Sequence, residues 1–278
     1  MSIKIGNLDV SSFKVGSADC RVYLGDIEVY SGDTPTPHDY SQDYFTMVAL
    51  GDNFELSWDG KVSGNCLSYS TDNGSTWSEP SSSFLVTLAN SGDTIMFKGS
   101  GMTTHSNSSI GRLMSDYTVD YKVQGNIMSL LYGDNFVNQT DLTGYAGAFL
   151  SFFQGPTKAM PNERLLSVEN LVLPATTLAL SCYQSMFLNC TSITTAPILP
   201  ATTLAIYCYQ SMFRGCTSLN NVTCLATDIS AQGCTNGWFT SVSGTVASGT
   251  FTKAASMTSW TTGVNGIPSG WTVVDYSG

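Results

Sequence analysis

Two hydrophobic patterns divide the chain. From Tyr44 to about Phe136, apolar and polar residues alternate with period two, as in FELSW (54–58) and TVDYKV (118–123), and turn residues interrupt them every eight to twelve positions. That pattern predicts short antiparallel strands with one wet face, the pattern of a β-sandwich. From Leu173 the period changes. Residues 173–198, LPATTLALSCYQSMFLNCTSITTAPI, are followed by LPATTLAIYCYQSMFRGCTSLNNVTC at 199–224, with 16 of 26 positions identical.

Within one unit, Pro174 and Thr176 or Thr177 provide a helix start, and Leu178, Cys182, Met186 and Cys190 recur every four residues along one face. The spacing predicts a helical arm of about three turns. Thr191–Pro197, β-branched and ending in proline, predicts a brief strand and a turn into the next copy. A unit this short cannot bury its apolar face alone, so the copies must stack on one another. A third copy decays from Leu225, keeping Cys234 and Phe239 in register with Cys208 and Phe213.

The remaining segments fall around these two blocks. Residues 1–32 hold three short runs, each opening on a glycine (Gly6, Gly16, Gly25), which read as a small β module that needs a partner to cover it. Residues 33–43 read as a polar, proline-containing linker. The expected order is then a sandwich at 44–137, an N-terminal cap of the repeats at 138–172 (a degenerate unit with an insertion), repeats at 173–239 and a β cap at 240–278. The fold class is multidomain, mostly β with an α/β part.

Composition narrows the function. Charged residues are 12% of the chain and the net charge is −10, almost all of it in the first 137 residues. Nucleic acid and anionic membranes need concentrated Lys and Arg, so neither is an expected partner. No apolar run approaches the ~18 residues of a membrane span, so no membrane insertion is expected. MSIKIGNLDV has a lone Lys4 and no apolar core, so it does not read as a signal peptide.

Candidate chemistry is sparse. Eight cysteines stand at 20, 66, 182, 190, 208, 216, 224 and 234, and the pairs 182/208, 190/216 and 208/234 are each 26 apart, one repeat period. That spacing fits free thiols stacked in a core, and it lacks the close pairs of a zinc site. Ser70–Trp77 (STDNGSTW) fits the Asp-box hairpin, in which Asp-x-Gly closes a turn and Trp packs beneath it. His38 and His105 sit in polar loops, and a serine nucleophile would lack a base. Asp52, Asp72, Asp93 and Asp134 lie in turns, where carboxylates cap amides. No catalytic residue, cofactor or metal ligand is expected, and the chain is not expected to be an enzyme. Tyr183, Gln184, Tyr209, Gln210 and Arg214 recur beside the Met/Cys stripe; stacking would align them in rows, the candidate partner-binding surface.

At the repeats, LPATTLALSCYQSMFLNCTSITTAP and LPATTLAIYCYQSMFRGCTSL resemble BspA-like leucine-rich repeats, found in surface and adhesion proteins of gut Bacteroidetes. The flanks LSYSTDNGSTWSE, YKVQGNIMSLLYGDNF, CLATDIS and GTFTKAASMTSWTTGVNGIPSGWTV look like the same modular type. The glycine-punctuated N-terminus resembles short β modules of virion proteins from crAss-like bacteriophages of those bacteria. These resemblances imply a virion structural protein: a fibre, tail component or head decoration assembled in the host cytoplasm. Residues 1–32 would dock on other virion proteins, and the repeats would meet a host-surface glycan or protein. A symmetric homo-oligomer such as a trimer follows from that role. A bacterial cell-surface adhesin is the alternative reading, and an Asp-box glycosidase ranks below both.

Overall fold

The structure is a computed structural model. It describes residues 38–58, 67–79, 84–99, 113–115, 118–154, 161–242 and 245–277, and the backbone of short strands between residues 4 and 30. Cys20, Cys66 and His105 lie outside the described residues.

The first unit, Met1–Asp39, carries five short strands. β1 (Lys4–Ile5) pairs antiparallel with β2 (Leu8–Asp9), and β3 (Ser12–Phe13), β4 (Val22–Leu24) and β5 (Ile27–Tyr30) form an antiparallel meander. The short strands expected at 1–32 are therefore present, arranged in two small sheets.

The second unit, Tyr40–Gly278, is mostly β. β6 (Phe45–Ala49), β7 (Phe54–Trp58), β8 (Leu67–Ser70), β9 (Phe84–Leu88), β10 (Thr94–Gly99), β11 (Leu113–Ser115) and β12 (Tyr121–Asn126) come first. A four-residue helix, α1 (Ser129–Tyr132), and a long strand, β13 (Leu165–Val172), follow. The sheet order is β13-β12-β6-β10-β8, with a second sheet β11-β7-β9. The alternation legible in the sequence sets which side chains turn inward: Ile95 and Phe97 on β10, and Tyr121 and Val123 on β12, are buried. All five residues of β6 are buried, because this central strand is covered on both faces.

Close backbone approach fixes two glycines. A Cβ on Gly99 would stand 1.8 Å from the Leu130 carbonyl oxygen, and one on Gly125, whose φ is +83°, would stand 2.1 Å from that of Tyr44. The Ser129 hydroxyl stitches the same region: it accepts from the Phe45 N–H and donates to the Phe97 carbonyl.

Two expected boundaries differ from what is observed. β13 pairs parallel with β12, so a strand placed in the cap at 138–172 belongs to the sheet placed at 44–137. Asn162, itself buried, reinforces that join by donating to the Tyr121 hydroxyl and the Phe153 carbonyl while accepting from the Leu165 N–H. The linker expected at 33–43 ends early as well. Residues 33–37 lie outside the described residues, but Tyr40–Gln42 form a 3₁₀ turn, and Asn126 donates to the carbonyls of Ser41 and Asp43.

Beyond β13 the chain winds in stacked rungs. Parallel bridges join Thr195 to Asn221, Leu199 to Cys224 and Thr203 to Asp228. β14 (Asn221–Cys224), β15 (Thr250–Lys253) and β16 (Thr272–Asp275) continue the stack as a parallel sheet. The helical arm expected in each repeat is absent: residues 180–189 and 206–215 are runs of consecutive turns.

Candidate binding surface

The turn runs are built by alternating the destination of successive N–H groups. Cys182, Gln184, Met186, Leu188 and Cys190 donate to the carbonyl three residues back, at 3.0–3.3 Å. The intervening Ser181, Tyr183, Ser185, Phe187 and Asn189 donate instead to Ile206, Cys208, Gln210, Met212 and Arg214 in the next rung, at 2.8–3.1 Å. The same ladder repeats from Tyr207, Tyr209, Ser211, Phe213 and Gly215 to Gln232, Cys234, Asn236, Trp238 and Thr240. An α-helix keeps all these bonds inside one segment. Here half of them hold neighbouring repeats together.

This spiral requires a left-handed residue at every fourth position: φ is +55° at Ser181, +55° at Ser185 and +60° at Asn189, and +55°, +53° and +79° at Tyr207, Ser211 and Gly215. Asparagine and glycine at two of these sites suit that conformation, and none of the six is β-branched, the class that resists it most. The degenerate first unit joins the stack, with Gly147, Phe149, Ser151 and Phe153 donating to Leu180, Cys182, Gln184 and Met186. The carbonyls it reaches lie 33 positions ahead instead of 25, which measures its insertion as eight residues.

Side chains follow the spiral in pairs, two inward and two outward. Cys182 and Tyr183, then Met186 and Phe187, are buried, while Gln184, Ser185, Leu188 and Asn189 are partly exposed. Stacking aligns the inward rings into two columns. Phe149, Tyr183, Tyr209, Trp238 and Trp260 stack at 5.6, 6.1, 6.4 and 5.5 Å between centroids. Phe153, Phe187, Phe213 and Phe239 stack at 5.4, 5.7 and 5.8 Å.

Of the five residues expected on the binding surface, two are therefore misplaced. Tyr183 and Tyr209 are 1% and 0% exposed and form the middle of a ring column, because they occupy the inward half of the four-residue pattern. Their hydroxyls are buried without hydrogen-bond partners. Burial raises both phenol pKa values well above the ordinary range. Gln184 and Gln210 do lie side by side on the outer face, continued by Leu150 and Asn236, and Arg214 is exposed on the next outward pair beside Leu188.

The outer face also carries residues that motif reading missed. Leu180 and Ile206 are 50% and 44% exposed in one row. Tyr207 lies half-buried with its ring over Gly233, where a Cβ would approach to 2.4 Å, and its hydroxyl accepts from the Gln232 side chain. The signal was available in the repeat itself: 180/206, 181/207, 188/214 and 189/215 are positions at which the two near-identical copies differ. Chemically the surface offers amides, hydroxyls, short apolar groups and one guanidinium.

The other candidate carboxylates have partners within the protein: Asp72 and Asp93 in their own turns, Asp52 and Asp134 on neighbouring segments. Asp72 accepts from the Ser70 and Thr76 hydroxyls and the Thr76 N–H, and the Thr76 bonds above all hold its carboxyl down at about 2. Trp77 packs edge-on against Tyr44, and the Lys98 ammonium lies 4.4 Å from its ring centre. Asp134 accepts from Lys98 and the Tyr44 hydroxyl, Asp93 from the Asn90 N–H, and Asp52 from the Ser91 N–H. Cys182, Cys190, Cys208, Cys216, Cys224 and Cys234 are free and buried. Burial lifts Cys182 and Cys224 to about 12. Cys190 and Cys216 donate to the Phe153 and Phe187 carbonyls of the preceding rung.

The last turn run meets the C-terminal segment. Asn265 accepts from the Thr235 hydroxyl through its carbonyl and from the Gly237 N–H through its side chain, and the Trp238 indole donates to Gly266. No protein-family model, no curated protein and no solved structure matches the chain.

Proposed function

We propose that the chain is a non-enzymatic structural protein of a bacteriophage virion: an N-terminal attachment module, a β-sandwich spacer and a short BspA-like leucine-rich-repeat solenoid that adheres to the host surface. The observation that carries this reading is the division of labour within the rungs. The thiols and the Tyr183 and Tyr209 phenols face inward and are held protonated, while the outer rows present amides, hydroxyls, apolar side chains, the Tyr207 ring and the Arg214 guanidinium. A surface of that kind binds by shape and hydrogen bonding. The sequence resemblance of the repeats and of the N-terminal module supplies the biological setting. The separation of Met1–Asp39 from Tyr40–Gly278 as compact units agrees with an attachment module joined to a distinct body.

The test is incorporation. Particles assembled with a chain lacking residues 1–32 should contain none of it, while the truncated protein still melts cooperatively. Normal incorporation of the truncated chain would remove the attachment role. Labelling that decorates bacterial cells in the absence of particles would favour the cell-surface adhesin.

A further inference from the structure

The stack ends beside a solvent-open cavity. β14, β15 and β16 run parallel in register, so Val222, Phe251 and Val273 stand side by side, as do Cys224, Lys253 and Asp275. Val222, Phe251 and Cys224 are fully buried, yet Val273, which continues the same inward row, is 44% exposed. Beside it lies a cavity of about 300 Å³ whose walls include Met257, Trp260, Ile267, Pro268 and Trp271.

Trp260 is the terminal ring of the column that begins at Phe149, with Trp238 stacked against it at 5.5 Å and 12° and Phe251 edge-on. Its indole N–H is buried with no acceptor. Thr258 and Thr262 add hydroxyls to the lining, and Lys253, also in the lining, is ion-paired with Asp275.

We infer that this cavity binds one neutral sugar ring of hexose size. Its volume is at the lower end of ligand pockets, enough for a single ring. The two indoles offer apolar walls to the C–H faces of a pyranose, and the Thr258 and Thr262 hydroxyls and the Lys253 ammonium offer hydrogen-bonding groups to its hydroxyls. The ion pair carries no net charge, so it favours a neutral polyol over an anionic ligand. A purely apolar guest would take water from the Thr258 and Thr262 hydroxyls without replacing its hydrogen bonds. The site is separate from the outer rows of the proposed function and does not depend on them.

Saturation-transfer NMR on the intact chain with methyl glucoside, galactoside, mannoside and N-acetylglucosaminide should show transfer to at least one of them. Val273→Trp, filling the cavity from an exposed strand, should weaken that binding at least tenfold. Val274→Trp, on the opposite face of the same strand, should leave it unchanged, and melting curves check that each variant is folded. If Val273→Trp does not fold, Thr258→Trp on the exposed rim replaces it. No transfer to any of the four glycosides, or undiminished transfer in a folded cavity-filling variant, overturns the proposal. So does concentration-dependent self-association that Val273→Trp abolishes without any saturation transfer, which would give the cavity to a second copy of the chain. Because the readout is purified protein with free glycoside, its failure is distinct from failure of particle incorporation.

Discussion

Tyr183 and Tyr209 show why a single residue was the hardest thing to read. An aromatic next to a buried cysteine can face either way. The choice rests on a two-in, two-out rhythm that exists only once the rungs stack. Their hydroxyls sit unpaired in the ring column, which costs stability without supporting a ligand. Tyr183→Phe and Tyr209→Phe should each leave stability unchanged or raise it by up to about 1 kcal/mol, a few degrees at most in a protein of this size, as read by thermal unfolding. A loss of comparable size would mean the hydroxyls have partners. The thiols give a second check: peptides containing Cys182, Cys190, Cys208, Cys216, Cys224 and Cys234 should stay unlabelled by iodoacetamide until the protein is denatured, since burial keeps them as thiols. Asp72 gives a third. Its folded pKa of about 2 lies below the ordinary 3.8, so its contribution is complete above that ordinary value and is lost as pH falls through about 2. The carboxyl carbon of Asp72 should titrate with that low midpoint, and Thr76→Val should move the midpoint upward.

At the scale of elements, the strands were legible and the arms were not. FELSW alternates as it folds, with Phe54 and Leu56 buried and Glu55 exposed. β13 escaped because its burial repeats every three residues, a consequence of register shifts against β12 that no alternation rule anticipates. In the repeats the inward stripe at 182, 186 and 190 was legible, but it was assigned to a helix. A spacing of four drifts by about 40° per step on a helix of 3.6 residues per turn, whereas the turn spiral keeps it in line. Ser181, Ser185 and Asn189, at the same spacing, were the overlooked sign of a recurring left-handed residue. Ser185 and Ser211 therefore distinguish the two geometries. Replacement by glycine should be neutral or stabilising, and replacement by valine should cost about 1–2 kcal/mol, because a β-branched side chain resists positive φ. In a helix the glycine substitution would instead be destabilising.

The repeats are organised by one number, the 26-residue period, which was plain in the sequence and sets the ladder in which each inter-rung N–H of the turn runs reaches the carbonyl 25 residues ahead. What the sequence hid was continuity. A boundary at 137/138 looked natural where one pattern gave way to another, yet the sheet runs through it by way of β12 and β13. Removing residues 182–207, one whole period, should therefore give a shorter protein that still unfolds in one cooperative transition at a lower temperature. Removing residues 182–194, half a period, should abolish that transition. The most direct measurement is a through-hydrogen-bond NMR correlation recorded on deuterated protein. The stacked-rung account requires cross-peaks linking the Tyr183 nitrogen to the Cys208 carbonyl carbon and the Phe187 nitrogen to that of Met212. Cross-peaks from those nitrogens to the carbonyls of Ala179 and Tyr183, four residues back, would mean a helix and would contradict it.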